Sequence, residues 1–273
     1  MYLTVNGAQT YCYTGGKPFQ PGQPTVVFIH GVLNDHSVWI LQSRYLAHHG
    51  WNVLAVDLPG HCKSEGEAPS SVEEAADFVA ALLDAAGVQT AALVGHSWGS
   101  LIALEAAARL KNRVSHLALV GTAYPMKVSP ALIEASLNEP MKALAMVLTC
   151  SSRSTLAAPP SALGPGTWVY GAGMALGRRV LASNTRVNVF HRGFVACDSY
   201  AAGDAAMAQV TCPVLFLLGQ ADQMTTPKAA QGLIQTAKAA GVSHSVVTVP
   251  VGHHQMTEAP DATLFALRDF MRR

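Results

Sequence analysis

Ser97 lies at the centre of Gly95-His96-Ser97-Trp98-Gly99, a G-x-S-x-G pentad. An apolar run ending at Val94 reads as the tail of a buried strand. Leu101 to Leu110 is mostly Ala and Leu, which are strong helix formers. A serine between strand and helix sits on a sharp turn that pushes its hydroxyl out above the sheet. The first amides of the following helix point at whatever binds there. Gly95 and Gly99 have a steric reason to lack side chains, because strand and helix pass closely at those positions.

A serine hydroxyl becomes a nucleophile only when a base takes its proton, and the base needs a third group to hold its tautomer. In a parallel sheet such groups belong just past the carboxyl ends of strands. Gly219-Gln220-Ala221-Asp222 follows the run ending at Leu218, and Pro250-Val251-Gly252-His253-His254 follows Val249. Ser97, Asp222 and His253 therefore fall at three strand ends, in the chain order Ser, Asp, His. The strand end at Val120 is the other place for an acid, but no carboxylate follows until Glu134, which favours Asp222. Such a set would carry out acyl transfer through a covalent serine intermediate. Two amides must hold the oxyanion. Trp98, next to the nucleophile, supplies one. Val32, in the loop opened by His30-Gly31, is the choice for the second.

The elements that position these groups follow from the apolar pattern. Asn6-Gly7 between strand-like runs predicts a type I′ hairpin over Tyr2 to Tyr13. Short continuous apolar runs at Thr25 to Ile29, Asn52 to Val56, Leu117 to Val120, Val214 to Leu218 and Ser245 to Val249 read as strands, most of them buried. Helices are expected over Ser37 to His49, Ser71 to Ala86 with a Ser71–Glu74 capping box, Pro227 to Ala240, and Asp261 to Met271. The alternation predicts an α/β fold, a mostly parallel central sheet with helices on both faces. From Tyr124 to Met207 the strand rhythm stops and helix-like segments rich in Met, Ala, Gly and Pro take over. The expected division is a core of 1–123 and 208–273 with a helical cap inserted at 124–207.

Composition bounds the function. The chain has 273 residues, half of them hydrophobic and 13% charged, with formal net charge +1. This suits one large α/β domain and argues against nucleic-acid partners. No apolar run approaches the roughly 20 residues that span a bilayer, and the N-terminus lacks a signal-peptide pattern. Five cysteines without C-x-x-C spacing fit neither a disulfide framework nor a zinc cluster, and point to a reducing cytoplasm. The adjacent pairs His48-His49 and His253-His254 are poorly spaced for a shared metal. No cofactor or metal is expected. The expected partner is a small molecule, with the protein a monomer or homodimer.

The ordered set His30-Gly31, Asp57-Leu58-Pro59-Gly60-His61, Gly95-His96-Ser97-Trp98-Gly99, Gly219-Gln220-Ala221-Asp222, and Gly252-His253 with Glu258 and Pro260 resembles the α/β-hydrolase-fold serine hydrolases of esterase and lipase type. The resemblance covers residues 2–122 and 208–271 and places the cap where that family keeps one. Its G-H-x-x-x-x-E-x-P pattern selects His253 over His254 as the base. Two positions depart from it. Cys62 stands where glycine is frequent, and is strained if its φ is positive. Ser100 stands where a second glycine is frequent. His30, His96 and Asp57 are read as loop-fixing groups, and Trp39 as an anchor for the helix after the oxyanion loop. Gly31, Met126, Met146, Trp168, Tyr170, Met174 and His254 are the candidates for the substrate pocket.

The resemblance implies hydrolysis of carboxylic esters of small to medium apolar or aromatic substrates. The alternatives on the same scaffold are a carbon–carbon hydrolase of the meta-cleavage type, a cofactor-free perhydrolase, and a small-molecule receptor. Serine at position 97 argues against the dehalogenase and epoxide-hydrolase chemistries, which use aspartate there.

Overall fold

A computed structural model describes residues 1–151 and 169–272. Its centre is an eight-stranded sheet with spatial order β1-β2-β4-β3-β5-β6-β7-β8. β1 (Tyr2–Val5) and β2 (Ala8–Tyr13) form the hairpin, with Asn6 and Gly7 both at positive φ as a type I′ turn requires. β2 pairs antiparallel with β4 (Asn52–Val56), and from there the sheet is parallel through β3 (Thr25–Ile29), β5 (Ala91–His96), β6 (Val114–Val120), β7 (Val214–Gly219) and β8 (His244–Val249). Every residue of β3, β4, β5 and β7 is buried, as expected of strands covered on both faces.

The strand order reverses between β3 and β5. At such a switch point the loops leaving adjacent strands diverge to opposite faces and open a crevice. The loop of His30, Gly31 and Val32 leaves β3, and the turn at Ser97 leaves β5.

Two apolar clusters lie on opposite faces of the sheet. One joins α2 (Val72–Ala85) and α3 (Trp98–Leu110) to the strands. The other joins α1 (Ile40–Ala47) and the C-terminal helix. Trp39 is fully buried against Phe28, ring centroids 5.0 Å apart, and anchors the turn that leads into α1. The helix expected over Ser37 to His49 is thus a 3-10 turn at His36–Trp39 followed by α1, because Asp35 caps Ser37 and starts the tighter turn. The capping box at α2 is half formed. Ser71 accepts from the Glu74 amide, but the Glu74 carboxylate turns to the Ser70 amide and hydroxyl instead.

Between β6 and β7 the described elements are helices: α4 (Pro130–Asn138), α5 (Pro140–Ser151), α6 (Val169–Ser183), α7 (Val189–Ser199) and α8 (Gly203–Met207). Leu132, Leu144, Leu148, Val180, Phe190 and Phe194 form a third cluster that takes in Leu33 and Ala68 from the loops below. The end of the insertion packs elsewhere. Ala196, Cys197, Tyr200, Ala206 and Met207 belong to the cluster around α3, and the Tyr200 hydroxyl donates to the buried Glu105 carboxylate at 2.6 Å. The chain closes with α9 (Gln231–Ala239), α10 (Gln255–Glu258) and α11 (Pro260–Met271).

Candidate active site

Ser97 is the N-cap of α3, with φ +53° and ψ −121°. Few non-glycine residues adopt that backbone, and packing must hold it. A methyl group on Gly95 would overlap the backbone carbonyl of Gly99, and one on Gly99 would lie 2.5 Å from the Ile29 carbonyl oxygen. The two glycines therefore let α3 cross β3 and β5 at backbone contact. Ser100, the departure noted above, donates to the Ser97 carbonyl at 2.5 Å and lies 2.8 Å from the Thr122 hydroxyl, so it ties the turn to the end of β6.

His253 and Asp222 come together from the loops after β8 and β7. His253 Nδ1 donates to Asp222 Oδ2 at 2.8 Å, with both side chains buried. The other Asp222 oxygen accepts the amides of Met224 and Thr225 at 2.8 and 2.9 Å. Burial alone would raise the Asp222 pKa. The adjacent His253, the hydrogen bond from it, and those from the Thr225 amide and hydroxyl outweigh burial and hold the carboxyl below its ordinary value. The loop carrying His253 is clamped by Glu258, whose two oxygens accept the amides of Gly252 and His254 at 3.0 Å each. From beneath, His96 Nε2 donates to the His253 carbonyl at 2.7 Å.

Thr225 is a member of this site that sequence reasoning passed over. Its hydroxyl lies 2.8 Å from Asp222 Oδ2, 2.9 Å from the Gly121 carbonyl and 3.0 Å from His253 Nδ1. The available signal was its place three residues after the acid. There a turn closed by the aspartate folds the hydroxyl back on the carboxylate.

Ser97 and His253 both line a cavity of about 510 Å³ between the sheet and the helices above it. Among the described residues no hydrogen bond joins Ser97 Oγ to His253 Nε2. Such bonds commonly tighten only when substrate binds. Val32 lies on the same wall, and Trp98 opens α3, where the first amides have no partner within the helix.

The remaining walls correct the expected pocket. His254 lines the cavity, and burial followed by the nearby His253 lowers its pKa to about 4, so it stands there neutral. Gly31 is not among the lining residues and packs beneath Ser97, where a methyl group would lie 2.9 Å from His96 Nδ1. Met126, Met146, Tyr170 and Met174 are not among the lining residues. Met126 is buried in the cluster around α3, and Met146 is exposed. Tyr170 and Met174 pack against the cluster formed by the helices between β6 and β7. Helical phase is the reason: α5 presents Leu144, Val147 and Leu148 to the cavity, and α6 presents Ala172, Leu176 and Arg179. The methionines of the wall are Met224 and Met256 instead. Trp168 lies outside the described residues.

The loop-fixing histidines and carboxylates have visible partners. His30 Nδ1 donates to the Gly31 carbonyl at 2.9 Å, and its Nε2 accepts the Leu58 amide at 3.2 Å. Asp57 accepts the His36 amide and ring, and the Lys63 amide. Asp35, His36 and Asp57 bring ligand atoms within 4.8 Å of one another. Their oxygens already accept N–H and O–H groups from the surrounding loops, which is the geometry of a structural network. Cys62 has φ +46°, the strained conformation expected if its φ were positive. Burial pushes its thiol up to about 12. Cys12, Cys62, Cys197 and Cys212 are free thiols.

Residues 24–260 match the family described as alpha/beta hydrolase fold. The chain belongs to the α/β-hydrolase family. Among curated proteins it is 36% identical over 121 residues to the dihydrolipoyllysine-residue acetyltransferase component of the acetoin cleaving system of Cupriavidus necator, covering 44% of this chain and 31% of that one. It is 33% identical over 123 residues to the lipase LipV of Mycobacterium tuberculosis, covering 44% of this chain and 46% of that protein. The matched stretches thus span less than half of these relatives' own length. Among solved structures, the enol-lactonase from Burkholderia xenovorans LB400 superposes with TM-score 0.84 at 23% identity over 100% of both chains, a likeness of fold. No helix among the described residues is long and apolar enough to cross a membrane.

Proposed function

We propose that this α/β hydrolase is a serine esterase, cleaving carboxylic esters of small to medium apolar or aromatic substrates through an acyl-enzyme on Ser97. The observation that carries the reading is the meeting of Ser97 with the Asp222-bonded His253 in the wall of one largely apolar cavity. Asp222 holds the proton on His253 Nδ1, so Nε2 is left with its lone pair for the Ser97 proton. The serine oxygen attacks the ester carbonyl carbon, and the amides of Val32 and Trp98 hold the resulting oxyanion. The C–O bond to the alcohol breaks as His253 returns its proton to the leaving oxygen. A water then enters, gives its proton to His253, attacks the acyl carbon and frees the acid, with the proton passing back to Ser97. The cap, proposed as residues 124–207, shapes the acyl site through α5, α6 and α7.

The test is steady-state hydrolysis of p-nitrophenyl esters from acetate to decanoate by wild type and Ser97→Ala. The wild type is expected to turn over short and medium chains. The variant is expected to lose about 10⁴- to 10⁶-fold in kcat while remaining folded. Absence of turnover on every ester by folded wild-type protein, or an equally active Ser97→Ala, overturns the proposal.

A further inference from the structure

The loop between β3 and the 3-10 turn, residues 31–35, carries the Val32 amide, yet little of its own chain fixes its shape. Leu33 stands at φ +56°, a left-handed backbone that a branched side chain adopts at a cost. One internal hydrogen bond closes the loop, from the Asn34 amide to the Gly31 carbonyl at a long 3.3 Å. Such a conformation persists only where neighbours impose it.

The neighbours above it come from the cap. Arg179, on α6, places Nη2 at 2.7 Å and Nε at 3.2 Å from Asp35 Oδ2, and Nη2 reaches the Ser37 hydroxyl at 3.1 Å. Asp35 in turn accepts the Ser37 amide at 2.8 Å, so the guanidinium is fastened to the start of the 3-10 turn. Gly193, on α7, faces Val32 directly: a methyl group there would lie 3.1 Å from both Val32 methyls. Leu33 is buried in the cap's cluster. Residues 32, 33 and 35 therefore each rest on a cap helix.

Charge adds a second effect. The Asp35 side chain is 2% exposed and stands three residues from the oxyanion donor. Left unpaired, its negative charge would oppose the negative charge that develops on the substrate oxygen. Arg179 cancels it.

We propose that Arg179 is a positioning residue for the oxyanion hole. Through Asp35, and together with the Gly193–Val32 contact, it lets the cap set where the Val32 amide points. The inference rests on the esterase reading of the site.

The test measures kcat and KM on p-nitrophenyl butyrate, a neutral ester, with a trifluoromethyl ketone of matching acyl length as probe of the serine-bound oxyanion. Arg179→Gln is expected to lower kcat about 10- to 100-fold with KM within about threefold, since small misplacements and lost oxyanion donors cost rate on that scale. Affinity for the ketone should fall in parallel with kcat/KM. Arg179→Lys should recover part of the loss. Asp35→Asn keeps a capping oxygen, so the double variant Asp35→Asn/Arg179→Gln should be more active than Arg179→Gln alone. Gly193→Ala, which presses on Val32 and leaves the ion pair intact, should also lower kcat, and it tests the idea if Arg179→Gln folds poorly. Lys142→Gln, on the exposed face of α5, serves as a cap-surface control and should match wild type.

Unchanged kcat in both Arg179→Gln and Gly193→Ala overturns the proposal. So does an Arg179→Gln effect confined to KM, or confined to esters that carry a carboxylate, since that would make Arg179 a substrate-binding group. An active Ser97→Ala run alongside would instead bring down the reading on which the proposal rests.

Discussion

Replacing Asp222 with Asn is expected to lower kcat on esters about 10⁴-fold while leaving KM within a few-fold of wild type. The fold should survive the change. Asn keeps an oxygen for the Met224 and Thr225 amides, so the turn after β7 is retained. The new amide nitrogen, however, would face His253 Nδ1, which now donates at 2.8 Å to the carboxylate. Two donors cannot share that contact. His253 would turn to the tautomer with its proton on Nε2, leaving nothing to accept the Ser97 proton. Thr225→Val removes only the hydroxyl that braces this pair, and a loss of about tenfold is expected, in keeping with a positioning role. Stopped-flow or steady-state rates for both variants beside wild type give the check. A near-wild-type Asp222→Asn would mean that another carboxylate orients the base.

Stability is expected to fall steeply as pH drops from about 6.5 towards 4. His30, His61 and His96 are fully buried, and burial is the largest cause lowering each of their pKa values, that of His61 to about 3. In the folded protein all three bind a proton less readily than a free imidazole, and His61 stays neutral down to about 3. In the unfolded chain they take up protons near the ordinary histidine value of 6.5. The unfolded state therefore binds more protons, and stability rises with pH and is lost on acidification. A histidine that stays neutral in the fold contributes about 1.4 kcal/mol per pH unit once the unfolded state is fully protonated, a limit His61 reaches near pH 5 and to which His30 and His96 add in the same direction. His254 at the cavity wall shares the direction, with its own limit at about 4. Urea unfolding at pH 7.5, 6.0 and 5.0 measures the slope. A midpoint that does not move over this range would show that these rings protonate inside the fold. His61→Asn should lower the slope by up to about 1.4 kcal/mol per pH unit.

How much of this was legible in the chain depends on the kind of signal. The strands were legible because β3, β4, β5 and β7 are buried on both faces and must be apolar throughout. Their ends then pointed to Ser97, Asp222 and His253, since chemistry in such a sheet is confined to those loops. Gly95 and Gly99 were legible from sterics alone. The cap pocket was not. A methionine or tyrosine on a cap helix faces inward or outward according to helical phase and to how that helix sits on its neighbours. Neither is written in residue type, so Met146 and Met174 fell on the wrong faces while Met224 and Met256 went unnoticed. Cap partners such as Arg179 for Asp35, 144 positions apart, leave no local trace.

The cluster of the helices between β6 and β7 takes in few residues of the loops beneath it, among them Leu33 and Ala68. On the proposed reading, the chemistry lies in the loops of the sheet and the substrate shape comes from the helices between β6 and β7, whose ends are rooted in the core cluster around α3. Exchange of that helical insert by recombination would be an economical route to new substrates, with one condition. Asp35 is buried and its countercharge comes from the insert, so a transplanted cap must bring a cation to the same place or be accompanied by loss of the carboxylate. The pair at positions 35 and 179 is thus expected to travel together when such enzymes diversify, whatever happens to the walls around it.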